Sequence, residues 1–345
     1  MKKIRFGITG SGYMARTHAE AIKRLDQDAE LVAIWGGRRA PDQATRFGIA
    51  CESTMEGLMA RPDIDAVVIN TPHHTHVVEG MRALESGKHI LVEKPMATTV
   101  EDCDRMIAAA AKRRLVIGTA YILRFRNNAI KVRELIASGG LGKLLTVQIS
   151  QLYNLEMQLG AYTWLKDPAT IGNLIDGFPH TIDLLRWFTG AEVRTVTAFS
   201  RNFMPDRPGL EDTTTAIMEF TNGMICTANS SCALTSTYPH QHAHLRIVGT
   251  EGNIDLDAFG QVYLGTSKGW NLFTEQPPIG FDDPEAAFKD PRIKTFMNQI
   301  QSFIDGIRGK PMVCGDGQDG RAGVVACLAM LQASKERRWI ELSKP

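Results

Sequence analysis

Two short stretches of the sequence contain residues that could bind a charged substrate oxygen or transfer a proton. Glu93-Lys94-Pro95 directly follows the apolar run Lys88–Val92, and an ammonium at Lys94 could polarise a substrate oxygen and stabilise an alkoxide. Asp176, His180 and Asp183 are spaced by four and three residues, so a helix would place them on one side. A histidine oriented by a carboxylate is a base for neutral pH, although the same spacing also suits a helix cap with a dipole partner.

A glycine turn near the N-terminus predicts a pyrophosphate site. Gly10-Ser11-Gly12-Tyr13-Met14-Ala15 has the spacing G-x-G-x-x-A and lies between a strand pattern, Ile4–Thr9, and a helical pattern, Met14–Leu25. Gly10 allows the tight turn, Gly12 lets the backbone approach phosphate, and Ala15 lets the helix pack closely on the strand. The motif alone is weak, but the strand–turn–helix context favours a dinucleotide site over a structural turn.

The end of the second predicted strand bears on which dinucleotide binds. An acidic residue there would hydrogen-bond the ribose 2′-hydroxyl of NAD. The sequence instead reads Trp35-Gly36-Gly37-Arg38-Arg39, and two guanidiniums suit a 2′-phosphate. We therefore expect Gly37, Arg38 and Arg39 to bind the cofactor, with NADP favoured over NAD. The alternative is that both arginines are solvated surface charges.

A third polar stretch, Asn70-Thr71-Pro72-His73-His74-Thr75-His76, follows the strand pattern Ala66–Asn70. Ligands bind at the carboxyl ends of strands in parallel sheets, so we expect Asn70, Thr71, Pro72 and His76, together with Glu93 and Lys94, to lie at the cofactor. A metal site is disfavoured, because adjacent histidines in a loop lack regular ligand geometry and no carboxylate accompanies them.

The elements that must position these residues fall into two groups. In the first third, the strand patterns Ile4–Thr9, Glu30–Trp35, Ala66–Asn70, Lys88–Val92 and Leu115–Thr119 alternate with helical patterns over Met14–Leu25, His76–Ser86 and Val100–Arg113. This alternation predicts an α/β domain with a doubly wound parallel sheet over residues 1–122.

The remainder, residues 123–345, predicts an α+β domain with a large, mostly antiparallel open sheet. Leu144–Leu152 alternates apolar and polar residues, and Asn222-Gly223 separates Thr213–Phe220 from Met224–Ser230 as a hairpin turn would. The strand patterns His242–Gly249 and Asn253–Leu256 and the helical patterns Asn127–Ser138, Ile293–Arg308 and Gly317–Glu336 complete the prediction.

Composition excludes several other classes of protein. The 345 residues carry 39 Lys+Arg against 38 Asp+Glu, so net charge gives no attraction toward nucleic acid or an anionic membrane. No stretch approaches the roughly 20 apolar residues that span a bilayer. Six scattered cysteines without a C-x-x-C pair indicate free thiols, and the short apolar start does not resemble a signal peptide, so the expected location is the cytoplasm.

Taken together, these motifs resemble the glucose–fructose oxidoreductase/inositol dehydrogenase (Gfo/Idh/MocA) family over nearly the whole chain. The resemblance rests on the glycine turn, on Thr71-Pro72 with His76, on Glu93-Lys94-Pro95, and on Asp176 with His180 and Asp183. It implies a Rossmann domain and hydride transfer between a nicotinamide and a secondary alcohol on a sugar, inositol or related ring. By position, Lys94 would contact the reacting oxygen, His180 would exchange its proton and Asp176 would assist.

The sequence also departs from the family pattern. Family members often have a small residue two positions after the aspartate, whereas this chain has Phe178 followed by Pro179. This difference should alter the pocket floor and puts the identity of the substrate in doubt more than the chemistry.

Further residues are weaker candidates for substrate binding. Tyr121 and Arg124 lie where the family's chain leaves the nucleotide domain, and Tyr153 and Trp164 could stack on a sugar face; each is equally plausible as packing. The alternating His240, His242 and His244 could form a metal tripod, but a sheet face packed on a partner subunit is the favoured interpretation. The resemblance implies a homodimer or homotetramer formed through the C-terminal sheet.

Two other functions fit the same fold. One is an NAD-dependent enzyme that cleaves glycosides by transient sugar oxidation, and the other is a nucleotide-sensing regulator without activity. Lys94, Asp176 and His180 argue against the regulator, and net accumulation of reduced cofactor would separate a dehydrogenase from the glycoside-cleaving enzyme.

Overall fold

The computed structural model describes residues 2–155, 172–204, 210–236, 243–276 and 285–342. The chain forms two compact units, which are Met1–Phe125 with Ile279–Arg321, and Arg126–Pro278 with Ala322–Pro345. Among the described residues, no helix combines the length and apolar character needed to cross a membrane. Trp164, His240 and His242 lie outside the described residues.

The first unit contains a six-stranded parallel sheet in the order β3-β2-β1-β4-β5-β6. This is the strand order of a dinucleotide-binding Rossmann fold, as predicted. The strands are β1 (Ile4–Thr9), β2 (Ala29–Trp35), β3 (Ala50–Glu52), β4 (Ala66–Ile69), β5 (His89–Val92) and β6 (Ile117–Thr119). The helices are α1 (Tyr13–Arg24), α2 (Ala40–Phe47), α3 (Met55–Ala60), α4 (His76–Glu85) and α5 (Val100–Arg113), with 3-10 turns at His73–Thr75 and Ile122–Phe125.

The sheet is apolar on both faces, as is typical of a parallel sheet that is covered by helices on both sides. Strand β4 is buried along its whole length, as expected when crossover helices pack on both faces. Thr54 and Thr99 cap α3 and α5 by accepting hydrogen bonds from main-chain N–H groups three residues on.

The second unit contains a nine-stranded sheet in the order β14-β13-β12-β11-β7-β10-β9-β8-β15. Neighbouring strands are antiparallel except β7 and β10, which run parallel, so the predicted mostly antiparallel sheet is confirmed. The strands are β7 (Leu144–Leu152), β8 (Val193–Arg201), β9 (Thr213–Phe220), β10 (Ile225–Ser231), β11 (His244–Gly249), β12 (Asn253–Asp257), β13 (Val262–Thr266), β14 (Gly269–Thr274) and β15 (Ile340–Glu341). The predicted Asn222-Gly223 hairpin joins β9 to β10, with Gly223 at φ +81°.

The remaining helices are α6 (Asn127–Ala137), α7 (Asn173–Gly177), α8 (Pro179–Thr189), α9 (Arg292–Ile307) and α10 (Gly317–Glu336), with a 3-10 turn at Ala286–Phe288. The sequence predicted one helix across Asp176–Asp183, whereas the structure has two, α7 and α8, meeting at Phe178. Pro179 begins α8, because a proline lacks the N–H that would continue the preceding helix.

The division of the chain differs from the predicted boundary at residue 122. Residues 279–321 group with the first unit, because Phe296, Ile300 and Phe303 of α9 share a core with Phe6 and Ile22. The aromatic pair Phe6–Phe303 has ring centroids 6.4 Å apart. Local patterning could not show this return of the chain, because it depends on packing between segments almost 300 residues apart.

Candidate active site

The glycine turn at the end of β1 leaves an uncovered helix N-terminus. Gly10 has φ +83°, and a Cβ there would lie 2.7 Å from the carbonyl oxygen of Asn70, so only glycine fits. Gly12 caps α1 without a side-chain hydrogen bond, and a Cβ at Gly12 would meet nothing within 4 Å. Ala15 is fully buried. An open main-chain cradle at a helix N-terminus fits a dinucleotide pyrophosphate.

Two side chains of the turn, which were expected at the cofactor, pack against other residues of the first unit. The ring of Tyr13 lies 5.2 Å from that of Phe288, and the Arg292 guanidinium stands 4.9 Å from the Tyr13 ring centroid. Burial raises the pKa of Tyr13. Met14 packs against the core around Phe6. Their side chains thus help to fix the turn through packing.

The end of β2 approaches the glycine turn closely. Gly36 and Gly37 both have positive φ, and a Cβ on Gly37 would lie 2.3 Å from the Oγ of Ser11. That hydroxyl accepts the main-chain N–H of Arg39 at 3.2 Å. Arg38 and Arg39 are exposed, and no carboxylate stands between residues 35 and 39. The two arginines therefore follow a segment that the glycine turn itself positions.

The loop after β4 is organised by its own polar groups. The hydroxyl of Thr75 donates to that of Thr71 at 2.8 Å, and the side-chain amide of Asn70 donates to the Val68 carbonyl at 3.2 Å. Glu79 of α4 is buried next to these threonines, and its burial raises the pKa of its carboxyl group. No local sequence pattern marks Glu79 as part of this loop.

His76 occupies a different role from the expected contact with cofactor. Its side chain is fully buried, with Nδ1 2.9 Å from the carbonyl oxygen of Pro95 and Nε2 2.8 Å from that of Thr71. Burial, with a smaller contribution from His73, lowers the pKa of His76 to about 4. Since both ring nitrogens already face main-chain carbonyls, neither is left to hydrogen-bond a dinucleotide.

The Glu93-Lys94-Pro95 turn lies at the carboxyl end of β5, at the same sheet edge as the glycine turn. The main-chain N–H of Glu93 donates to the Ile69 carbonyl at 3.0 Å, which ties the turn to β4. One oxygen of Glu93 accepts the main-chain N–H of Lys94 at 3.2 Å, and the other lies 3.0 Å from Nε2 of His18. Glu93 and His18 are both buried. Glu93 thus supports the turn that presents Lys94.

Tyr121 and Arg124 are buried within the first unit. Arg124 pairs with Asp319 at 2.9 Å and donates to the Val313 carbonyl at 3.1 Å, and the Tyr121 hydroxyl donates to the Asp319 carbonyl at 3.5 Å. These contacts hold the start of α10 against the exit of β6. They place both residues in packing, the alternative that the sequence left open.

In the second unit, α7 and α8 carry Asp176 and His180, and both residues are partly exposed. Asp183 is buried. A Cβ at Gly177 would lie 2.3 Å from the side-chain nitrogen of Gln151, so the glycine lets α7 approach β7. Phe178, expected at a pocket floor, is completely buried.

A buried polar network anchors the start of α7, and the sequence analysis missed it. The Asn173 side chain receives the hydroxyl of Tyr153 and donates to the Ser230 hydroxyl at 3.0 Å. Glu211 accepts the main-chain N–H of Leu174 at 2.8 Å. Tyr153, which the sequence left open between stacking on a sugar and packing, is a buried partner of Asn173. These partners come from segments far apart in sequence, so no local pattern marks them.

The described residues contain no group of three or more His, Cys, Asp or Glu side chains suited to a metal ion. His244 is buried and its Nε2 lies 2.6 Å from a carboxylate oxygen of Asp255, so it makes a side-chain contact between β11 and β12. His18 is a further buried polar residue that was not predicted from the sequence. A histidine on the apolar face of the helix after the glycine turn was the one available signal for it.

Comparison with known proteins matches both units to models of one protein family. Residues 4–121 match the family described as "Oxidoreductase family, NAD-binding Rossmann fold", and residues 129–255 match the "GFO/IDH/MocA C-terminal domain". An uncharacterized oxidoreductase of Rhizobium meliloti is 30% identical over 74% of this chain and 75% of its own length.

Two named relatives extend over almost the whole chain. A 1,5-anhydro-D-fructose reductase of Ensifer adhaerens is 27% identical over 96% of both chains, and an inositol 2-dehydrogenase of Rhizobium meliloti is 26% identical over 99% of both. Among solved structures, a levoglucosan dehydrogenase in complex with NADH and levoglucosan superposes with a TM-score of 0.86 at 21% identity, covering 99% of this chain and all of the other. This chain belongs to the Gfo/Idh/MocA family and is an NAD(P)-dependent oxidoreductase that acts on CH–OH groups.

Proposed function

We propose that this protein transfers a hydride between a nicotinamide and a secondary alcohol or ketone on a sugar, inositol or related ring. The observation that carries the proposal is the carboxyl edge of the parallel sheet in the first unit. The open glycine turn follows β1 and the Lys94 turn follows β5, so both lie at that edge. The names of the two full-length relatives support a cyclic polyol or anhydro-sugar as the substrate class.

The proposed roles follow from the chemistry of each side chain. The nicotinamide, when bound, accepts or returns the hydride. Lys94 holds the reacting oxygen and stabilises negative charge on it, because an ammonium lowers the energy of an alkoxide. His180 takes the hydroxyl proton, and Asp176 assists that transfer. In the reductive direction the same residues return the proton to the carbonyl oxygen.

The direct test is an absorbance screen for reduced cofactor. Wild-type protein is mixed with NAD or NADP and a panel of inositols, sugars, amino sugars and glycosides, and with reduced cofactor and 1,5-anhydro-D-fructose. We expect stoichiometric hydride transfer with at least one cyclic substrate. Glycoside cleavage without net reduction would instead establish the glycoside-cleaving reaction, and the absence of any turnover across the panel would contradict the proposal.

The preferred cofactor is NADP in this proposal. The absence of a carboxylate at the end of β2 and the exposed Arg38 and Arg39 support it, because guanidinium pairs bidentately with a phosphate. A charged hydrogen bond contributes about 1.5–3 kcal/mol, so Arg38→Ala should weaken NADP roughly 10- to 100-fold while NAD changes little. Fluorescence titration with both reduced cofactors measures this ratio, and equal losses for the two would remove the basis for choosing NADP.

We also propose that the protein is a homodimer or homotetramer that associates through the open face of its large sheet. Several large apolar side chains are exposed on the strands of this sheet. Monomeric proteins rarely expose a large contiguous apolar surface, so such a face fits a subunit interface. These side chains are Phe199, Ile217, Ile225, Val248, Tyr263, Trp270 and Leu272. Replacing Phe199 and Ile217 with serine should yield a monomer in sedimentation velocity, whereas Val78→Ser on the first unit should not.

The expected compartment is the reducing cytoplasm. All six cysteines are free thiols, and five of them are buried. Burial raises the pKa of the Cys103 thiol to about 12, which keeps it protonated and unreactive at neutral pH.

A further inference from the structure

The turn that carries Lys94 is held by a buried histidine, His18, which contacts the side chain of Glu93. His18 of α1 has no exposed surface, and its Nε2 lies 3.0 Å from one oxygen of Glu93. The other oxygen of Glu93 accepts the Lys94 main-chain N–H. Both oxygens of the Glu93 carboxylate therefore make contacts. One contacts His18 on the helix after the glycine turn, and the other accepts the main-chain N–H of Lys94.

The position of His18 is costly to the fold, which argues that it serves more than packing. Its second nitrogen, Nδ1, is buried and makes no hydrogen bond within the described residues. Its ring stands edge-on to Phe296, a residue of the apolar core, with ring centroids 5.4 Å apart. A buried polar atom without a partner destabilises a protein, and such atoms concentrate where function requires them.

A second buried histidine holds the same turn from the other side of Lys94. His76 contacts the Pro95 carbonyl through Nδ1 and the Thr71 carbonyl through Nε2. It thereby links the loop after β4 to the residue that follows the lysine. With His18 acting through Glu93, the main chain is fixed immediately before and immediately after the Lys94 side chain.

We propose that His18 and His76 are positioning residues for Lys94, acting through Glu93 and Pro95 respectively, and that they set where its ammonium meets the reacting oxygen. The inference rests on the proposed function of Lys94. Neither histidine is exposed, so neither touches substrate or cofactor. A displacement of about 1 Å in a reacting group can cost roughly 10²-fold in rate, so loosening the turn should lower turnover without removing binding contacts.

The test compares disruptive and conservative variants of each histidine. His18→Leu removes the partner of Glu93, whereas His18→Gln keeps an N–H donor near the place of Nε2. His76→Leu removes the link to Pro95, and His76→Asn keeps a donor near the place of Nδ1. We expect each leucine variant to lose about 10-fold or more in kcat with KM for the cofactor within about twofold, and the amide variants to recover most of that loss.

His89→Asn is the matched control. His89 stands at the opposite end of β5 and accepts the Val116 main-chain N–H at 2.9 Å, so its loss disturbs the same sheet without touching the Lys94 turn. It should lower thermal stability and leave kcat near the wild-type value. If His89→Asn lowers kcat as much as His18→Leu, or if the amide variants recover nothing, the positioning role is overturned.

A readout that needs no substrate separates this inference from the proposed function. Hydrogen exchange at the Lys94 amide reports its bond to Glu93 directly, and it should quicken about 10-fold or more in His18→Leu while staying slow in His18→Gln and His89→Asn. Unchanged exchange in His18→Leu would contradict the inference. A wild-type protein that transfers no hydride would contradict the proposed function, and the exchange result would still decide whether His18 holds the turn.

Discussion

Strand β5 has a lysine beyond each end, and the two lysines differ in their surroundings. Lys88, at the amino end, is buried and donates to the main-chain carbonyls of Arg61 at 2.8 Å and Ile64 at 3.0 Å. Burial lowers its pKa. Lys94, at the carboxyl end, follows a carboxylate that holds its main chain. Lys88 therefore stabilises the neighbouring loop, whereas Lys94 lies on a turn that Glu93 supports.

The difference teaches that residue type alone does not mark a functional side chain in this fold. In a parallel sheet the carboxyl ends share one edge, and that edge is where ligands bind. The amino edge of the same sheet carries Asp65, Lys88 and His89, whose bonds all go to neighbouring loops or strands. Matched residues at the two edges should therefore respond differently to substitution.

The largest expected effect comes from a glycine at each edge. Gly10 and Gly87 both have positive φ, but a Cβ at Gly10 meets the Asn70 carbonyl whereas one at Gly87 meets nothing within 4 Å. Gly10→Ala should displace the turn and weaken the cofactor by ~10²-fold, the worth of about two charged hydrogen bonds to phosphate. Gly87→Ala should cost only about 1–2 kcal/mol of stability, the strain of a left-handed residue.

Cofactor titration and chemical unfolding of both glycine variants test this contrast. Normal cofactor affinity in Gly10→Ala would show that the glycine turn is not the pyrophosphate cradle. A loss of affinity in Gly87→Ala would show that the amino edge also affects binding.

An intermediate effect concerns a histidine at each edge and the pH dependence of stability. Burial lowers the pKa of His76 to about 4 and also lowers that of His89. Between about 4 and the unfolded value near 6.5, the unfolded chain binds a proton that the folded chain refuses, so stability falls as pH falls through this window. His76→Asn should remove about 3 kcal/mol of that loss, and His89→Asn should remove less.

Urea unfolding at several pH values between about 4 and 7 measures these slopes. A His76→Asn profile parallel to that of the wild type would mean that the two facing carbonyls keep the imidazole protonated. That result would give His76 a charge at the carboxyl edge and change the electrostatics expected around Lys94.

The smallest effect is expected from Asp65, which precedes β4. Its carboxylate receives the main-chain N–H and the guanidinium of Arg5, and these bonds hold the pKa of Asp65 below its usual range. Asp65→Asn should therefore reduce stability slightly at neutral pH, with the difference from wild type vanishing as pH falls below the ordinary carboxyl range. Cofactor affinity and kcat should not change, and a change in either would break the contrast between the edges.

Much of the parallel sheet could be predicted from local sequence. The ends of β1 and α5 match the predicted Ile4–Thr9 and Val100–Arg113, because buried strands and capped helices carry strong local patterns. The segment with α2, β3 and α3 was missed, since its elements have three to eight residues and too little periodicity to stand out. Strands β8, β13 and β14 were also missed.

The site was predictable only where it follows strand ends. Gly10, Asn70 and Lys94 lie at one sheet edge because their strands are parallel neighbours, and alternation of strands and helices was enough to infer that. The residues that support them were not predictable in the same way. His18 meets Glu93 across 75 positions, and Asn173 meets Ser230 across 57, so these pairs emerge only from the folded packing.

The measurement that tests the account most directly is the turnover of Lys94→Met beside Lys88→Met, on the substrate that gives the highest turnover in the cofactor-reduction screen. Both variants remove an ammonium from an end of β5, and their unfolding curves report the structural cost of each. We expect Lys94→Met to fold normally and to lose about 10²-fold or more in kcat, whereas Lys88→Met should lose stability but keep its kcat. A Lys94→Met enzyme with near wild-type kcat, or equal losses of kcat in the two variants, would contradict the claim that the carboxyl edge of this sheet carries the chemistry.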